Sequence, residues 1–387
     1  MSQGSQDIPR WVDVGVVPLV NLAIALLAAG TVVALVGQSP TEVINALVKG
    51  ALGTQRGLSY TLYYATTFVF TGLAVAVAFH AGLFNIGGEG QAMLGGLGAA
   101  LAALWLGTSL PTWLMLPLMV VAAAAFACVW ALIPAYLQAY RGSHIVITTI
   151  MFNFLASSLM VYLLVNVLKP AGEMNVQSAV FAASAAMPGV HTALSWIGVQ
   201  WPSSPLNLSV LIALVCSLGV YLLLWKTRIG YQLRASGASQ GAAVYAGITP
   251  QKQILIAMGV SGALAGMVAM NEVSGVHGKL LPDFVSGAGF TGIAVALMGR
   301  NHPVGIILSS LLFGMIFQGG AEVAFEVKDF TKDMVVMLQG FIVLFSGAMA
   351  YATAPLIGRI YQWLHQLIHR PTAAKLASAP GVEADRG

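Results

Sequence analysis

Asn85, Glu89 and Gln91 lie within the stretch GLFNIGGEGQ, Gly82 to Gln91, among four glycines and between two long apolar runs. Two amides and a carboxylate at this spacing offer hydrogen bonds to a polar solute, and Phe84 beside them offers a face for stacking a planar ring. A glycine-rich backbone without regular helix is tolerated at membrane depth only where protein buries it or where it lines a watery cavity, because its amide groups otherwise go unpaired. Two readings follow. Either the segment lines a solute path, or it is a tight turn at the membrane surface with Glu89 in solvent near a helix N-terminus, where its charge is favourable.

The second polar feature is TRIGYQLRASGASQGAAVYAGITPQK, Thr227 to Lys252, which closes on a turn signal at Thr249 and Pro250. A short helix from about Ser239 to Tyr245, lying across a membrane face, would expose small residues for a partner to press against. The plain alternative is a basic connecting loop whose charge only sets orientation.

Other candidates for chemistry fall to simpler explanations. No phosphate-binding G-x-x-x-x-G-K-[ST] loop is present, and GVHGKL near Gly278 lacks both its spacing and its hydroxyl. GAGFTG, Gly287 to Gly292, spells the dinucleotide fingerprint but follows no strand, so it reads as close helix packing, as does GALAG, Gly262 to Gly266. His365 and His369 are one helical turn apart without a third ligand, and RIYQWLHQLIHR around them reads as an amphipathic helix anchored by Tyr361 and Trp363. Cys128 and Cys216 sit in apolar runs and are too few for a disulfide framework. Glu272 ends an apolar run beside a loop with His277, Lys279 and Asp283, and reads as a surface charge, with a gate as the alternative. No nucleophile, metal or paired-acid cluster suggests an enzyme, and no cofactor is expected.

The elements that must carry these residues are membrane helices. Hydrophobic residues make up 58% of the 387 and charged residues 8%, where soluble domains carry about a quarter charged. Apolar runs near 15–36, 60–80, 90–107, 112–135, 145–167, 207–226, 252–272, 284–299, 303–320 and 334–356 predict an all-α integral membrane protein of about ten transmembrane helices, broken by the polar segment at 82–91. With both termini cytoplasmic, Arg141, the group Lys226, Arg228, Arg234 and Lys252, then Arg300, Arg359 and Arg370 all fall inside. Lys49 and Arg56 are the main exceptions outside. The net charge of +4 is scattered through loops rather than forming a stripe, so membrane topology explains it and nucleic acid is not a partner. The expected layout is a cytoplasmic stub at 1–14, a transmembrane domain at 15–356 with a cytoplasmic loop at 228–250, and a cytoplasmic amphipathic segment with a disordered tail at 357–387.

Three segments in fixed order resemble the permease subunits of bacterial ATP-binding-cassette importers for simple sugars and nucleosides: GLFNIGGEGQAMLGGLGAA, RGSHIVITTIMFNFLASSLMVYLL, and TRIGYQLRASGASQGAAVYAGI with the QKQILIAMGVSGALAGMVAMNEV that follows. The wording FNIGGEGQ is similar to the nucleoside branch, and together the segments cover most of the chain from Tyr60 to about Gly319.

The resemblance implies a non-catalytic subunit of the inner membrane. An extracytoplasmic binding protein would deliver solute, a separate ATPase subunit would drive transport, and a second permease, commonly a different one, would complete the core within membrane lipid. It also implies that Phe84, Asn85, Glu89, Gln91 and Asn153 line the pathway, with a helix-to-helix hydrogen bond the alternative for Asn153. Arg228 to Pro250 would be the coupling loop: Gly237, Ala242, Ala243 and Gly247 would let backbones approach, with Arg234 at the rim. Where the wider family carries a glutamate before the paired alanines, this chain has Ser239, Gln240 and Gly241. The rivals are a simple-sugar importer, a gradient-driven carrier with Glu89 as its coupling acid, and, least supported, a membrane-embedded enzyme.

Overall fold

Where apolar side chains run uninterrupted, the chain forms helices whose backbone groups pair internally, the arrangement a hydrocarbon solvent demands. A computed structural model describes residues 9, 12, 16–327 and 330–368, and these are all-helical apart from connections and one isolated bridge between Gly189 and Asn207. The helices are α1 (Val17–Leu35), α2 (Pro40–Leu52), α3 (Gln55–His80), α4 (Gly88–Leu106), α5 (Thr112–Arg141), α6 (Ile145–Leu163), α7 (Val190–Ser195), α8 (Ser209–Lys226), α9 (Arg228–Ala238), α10 (Gln240–Tyr245), α11 (Pro250–Gly266), α12 (Ala288–Met298), α13 (Pro303–Glu326) and α14 (Lys332–Ile368). A π-helical turn, Leu164–Leu168, extends α6, and another, Met270–His277, follows α11.

Among the described residues, six helical stretches are long and apolar enough to cross a membrane: Gln55–His80, Thr112–Arg141, Ile145–Leu168, Ser209–Lys226, Pro250–His277 and Pro303–Glu326. Shorter apolar helices lie at Ala23–Leu35 and Ala288–Met298. Each of the ten apolar runs contains a helix among the described residues, yet α12 has only 11 residues, about 16 Å at 1.5 Å per residue, roughly half of a 30 Å hydrocarbon core.

Three elements depart from the sequence reading. Residues 40–52, expected in an outer loop, form α2, capped by Ser39 and entered through Pro40. The loop expected around the short helix is two helices, α9 capped by Thr227 and α10 capped by Ser239. The last span and the amphipathic segment are one helix, α14, running through Pro355 to Ile368. His369 and the tail after Arg370 lie outside the described residues, as does the N-terminal stub apart from Pro9 and Val12.

The core is built on α3 and α11, in whose apolar windows 83% and 78% of residues are buried, against 22% in α5 and the extended α6. Glycine makes this density possible. A Cβ on Gly95 of α4 would stand 2.8 Å from the Gly266 carbonyl oxygen of α11, and one on Gly262 would stand 2.6 Å from the Ala127 carbonyl oxygen of α5. The GALAG stretch is therefore a packing face, as its small residues suggest. A smaller apolar cluster joins Ala25, Ala29 and Val33 of α1, Val43 and Ala46 of α2, and Ile316 and Val323 of α13.

Contacts sort the helix ends. His80 Nε2 lies 3.0 Å from the Asn301 carbonyl oxygen, and Gln253 donates to Gln232. These bring the ends of α3 and α12 and the starts of α9 and α11 to one face of the bundle. At the other face the Trp201 indole donates to Ser59, and Lys49 pairs with Glu326 at 3.2 Å.

Candidate functional site

Two interrupted helices meet inside the bundle. The chain leaves α3 at His80, runs without helix from Ala81 to Gly87 and enters α4 at Gly88, so Glu89 and Gln91 belong to the first turn of a helix and not to the break. From the opposite face, residues 278–287 run inward beside α4, with Phe284 packed on Gly96, and turn into α12 at Gly287. Gly287 holds φ +79°, a left-handed conformation that glycine adopts without steric cost. The α12 length places this junction about half-way across the membrane core.

Each helix start exposes backbone N–H groups without partners in their own helix, and at this depth no lipid can satisfy them. A side chain from another helix does so in both cases. The Glu89 carboxylate accepts from the Gly287 N–H at 2.8 Å and from the Gly289 N–H at 2.8 Å, capping α12 from α4. Asn153 of α6 accepts the Gly90 N–H at 2.9 Å and donates to the Ile86 carbonyl at 2.9 Å, capping α4 and fixing the break. Glu89 is 5% exposed; the surface turn with its carboxylate in solvent is not what forms. It does neutralise a helix N-terminus, but that of α12.

Asn85 and Gln91 face one another across the break in a reciprocal amide pair of 3.0 and 3.2 Å. Asn85 also donates to Ser261 Oγ of α11 at 2.9 Å and accepts the Gly87 N–H at 2.8 Å, while Ser261 donates to the Ala74 carbonyl of α3. The break is thus bolted to both central helices. Phe84 is half-buried, edge-on to Phe79 with centroids 6.5 Å apart. All five residues expected around a path gather at the break, and the four polar ones bond within the protein.

The second cluster was missed. Glu272 is buried, not a surface charge: its carboxylate accepts from the Tyr63 hydroxyl, from Thr67 Oγ1 at 2.6 Å and from Asn271 Nδ2 at 3.4 Å. Asn271 Oδ1 accepts from Asn207 at 3.0 Å and from Ser209 at 2.8 Å, tying α8 to α3. Both residues stand on the π-helical turn Met270–His277, a distortion that recurs at functional sites. The sequence held one signal: apolar MVAM precedes the Asn-Glu pair and Val273 follows it. Glu272→Leu strips the acceptor from two buried donors, the Tyr63 and Thr67 hydroxyls, each costing about 1–3 kcal/mol. The expected result is a clear fall in thermal melting temperature of the detergent-solubilised protein, with Glu272→Gln milder; equal melting of all three forms would count against the network.

Of the coupling-loop candidates, Arg228, Ala242 and Gly247 are exposed and Arg234 is half-buried. Ala243 is buried beneath α10, so its small size serves the chain's own packing. Gly237 also packs inward: a Cβ there would lie 2.7 Å from the Gly82 nitrogen and 2.8 Å from the Ala81 carbonyl carbon. The residues left exposed at the tip include Val244 and Tyr245, the latter 96% exposed. Among the described residues no group of three or more His, Cys, Asp or Glu side chains could hold a metal ion.

Residues 57–347 match the family model described as branched-chain amino acid transport system / permease component. The chain is 33% identical over 351 residues to a guanosine ABC transporter permease protein of Bacillus subtilis, covering 89% of this chain and 96% of that one. A second guanosine permease protein of the same bacterium matches at 26% over 66% of this chain and 78% of its own length. A nucleoside ABC transporter permease protein of Lactococcus lactis is 31% identical over 78% of this chain and 83% of its own length. A glucose ABC transporter permease protein of Haloferax volcanii is 33% identical over 88% of each. With interrupted helices inside an apolar helical bundle and similarity spanning most of its length, the chain belongs to this family of ABC transporter permease components.

Proposed function

We propose that the chain is the membrane-spanning permease of an ATP-driven nucleoside importer in a bacterial inner membrane. The observation that carries this reading is the meeting of two interrupted helices half-way across the bundle, since transport proteins place solute sites where helices break at the midplane. On this reading the conformer is closed, with Asn85, Glu89, Gln91 and Asn153 holding one another. The path opens beside Phe84 where the break at 81–87 parts from the stretch at 278–287.

The face with the basic loops is cytoplasmic, as the excess of Lys and Arg there supports, and both termini lie on that side. A separate ATPase subunit hydrolyses ATP and docks on the coupling loop 228–250, an extracytoplasmic binding protein delivers solute, and lipid covers the rest. Arg228, Ala242 and Gly247 lie on the docking face with Arg234 at its rim, while Ala243 supports α10 from beneath and Gly237 passes movement to the end of α3. The two guanosine-named permease proteins of Bacillus subtilis, matched at 33% and 26%, support pairing with a second, different permease.

Nucleosides are favoured by relatives named for them in two bacteria. The glucose-named relative keeps a simple-sugar importer as the alternative. Competition separates the two. Uptake of labelled guanosine in cells carrying the whole system is expected to fall at least about tenfold under excess unlabelled nucleoside and to hold under excess glucose or ribose, tenfold corresponding to 1.4 kcal/mol of discrimination. The reverse pattern would assign a sugar.

A further inference from the structure

Among the described residues, the coupling face lacks acid. From Gln91 to Leu168 and from Val190 to Asn271 the chain contains no Asp or Glu, and these stretches include α9, α10 and the loop joining α5 to α6. The described residues of the basic face carry Arg141, Lys226, Arg228, Lys252 and Arg359 exposed and Arg234 and Arg300 half-buried. The ion pair found among the described residues, Lys49–Glu326, is at the far face. Positive-inside topology accounts for Lys and Arg in such loops, but it is not a net-charge rule and does not expel carboxylates. On the same face Val244 of α10 is 57% exposed and Tyr245 96% exposed, and Tyr231 of α9 is 62% exposed.

We propose that the ATPase subunit seated on this face presents a groove rimmed with Asp and Glu around an apolar socket for Tyr245. This rests on the importer reading above and names the chemistry of its partner. Charge complementarity selects an acidic rim, because among the described residues Arg228, Lys226 and Lys252 have no carboxylate within their own face to pair with. A fully exposed tyrosine on α10, between the cation-bearing α9 and the start of α11 with Lys252, has the character of an interface anchor, large, rigid and amphipathic. Anionic lipid is the poorer occupant. A helix that lies in the membrane surface displays a long apolar stripe, whereas α10 has six residues, and its one buried residue, Ala243, turns back into the protein.

The test uses the full permease core reconstituted in nanodiscs of purely zwitterionic lipid, with its own ATPase subunit titrated at low and high salt. The expected wild-type result is a Kd that weakens at least about tenfold between 50 mM and 500 mM salt, as screening predicts for a charged rim. The double variant Arg228→Glu, Lys252→Glu weakens low-salt binding by about tenfold or more, and reversing acidic groove residues of the ATPase restores it. Tyr245→Ala weakens binding at both salt concentrations. Salt-independent binding that tolerates the charge reversal overturns the proposal, as does an effect of the reversal that appears only when anionic lipid is added. Failure of the wild-type core to bind the ATPase at any salt concentration overturns the importer reading itself.

Discussion

Glu89→Ala is expected to reduce solute uptake at least about tenfold while the protein still reaches the membrane. The carboxylate accepts two N–H groups at the start of α12, each at 2.8 Å, at a depth where neither water nor lipid replaces it. Each stranded donor costs about 1–3 kcal/mol, and the helix dipole loses its compensating charge. Two such terms are enough to free the α12 N-terminus from α4, so the closed arrangement is no longer favoured. Glu89→Gln is expected to fall between Ala and wild type: its one oxygen can serve one N–H, and its amide nitrogen then confronts the other. Uptake normalised to membrane level, measured beside the ATPase rate of the assembled complex, checks this. Wild-type uptake in both variants would contradict the capping role. Complete loss in Glu89→Gln, with wild-type uptake that collapses under a protonophore, would instead mark Glu89 as the coupling acid of a gradient-driven carrier.

Gly237→Val is expected to leave ATP hydrolysis running while uptake is lost. The obstacle to a side chain at this position is backbone: the added Cβ would lie 2.7 Å from the Gly82 nitrogen and 2.8 Å from the Ala81 carbonyl carbon. Neither atom can rotate away as a side-chain tip would. Helix α9 must lift off the end of α3, and overpacking of this kind costs about 1–3 kcal/mol. On the proposed docking, that contact joins the ATPase-facing α9 and α10 to the polar break, so movement of α9 would no longer reach Glu89. Gly219→Ala, on α8 with open space around it, serves as the control and should transport normally. Coupled transport in Gly237→Val would show that the signal travels elsewhere.

The sequence revealed what hydropathy controls. Runs of apolar residues marked α3, α5, α6, α8, α11 and α13, and Ser239 with the small residues after it marked α10. Hydropathy is blind to α2, because Glu42 and Lys49 dilute its apolar face, although the capping Ser39 and following Pro40 were there to be read. Glycine and polar residues marked the break at Ala81–Gly87, but nothing local says that Glu89 reaches a backbone 198 residues away. The same holds for Glu272, which reads as the end of a span until Tyr63 and Thr67 of α3 are brought to it. Gly237 and Ala243 were legible as small residues needed for close approach. The identity of the approaching surface, the chain's own α3 and α11 side in place of a partner, is tertiary information.

The most direct test of the whole account is uptake of labelled guanosine in cells that express this chain with and without its ATPase, its binding protein and its companion permease. Uptake is expected only when all are present, and is expected to be lost when the ATPase cannot hydrolyse ATP. Uptake by this chain alone that survives inactivation of the ATPase would contradict it.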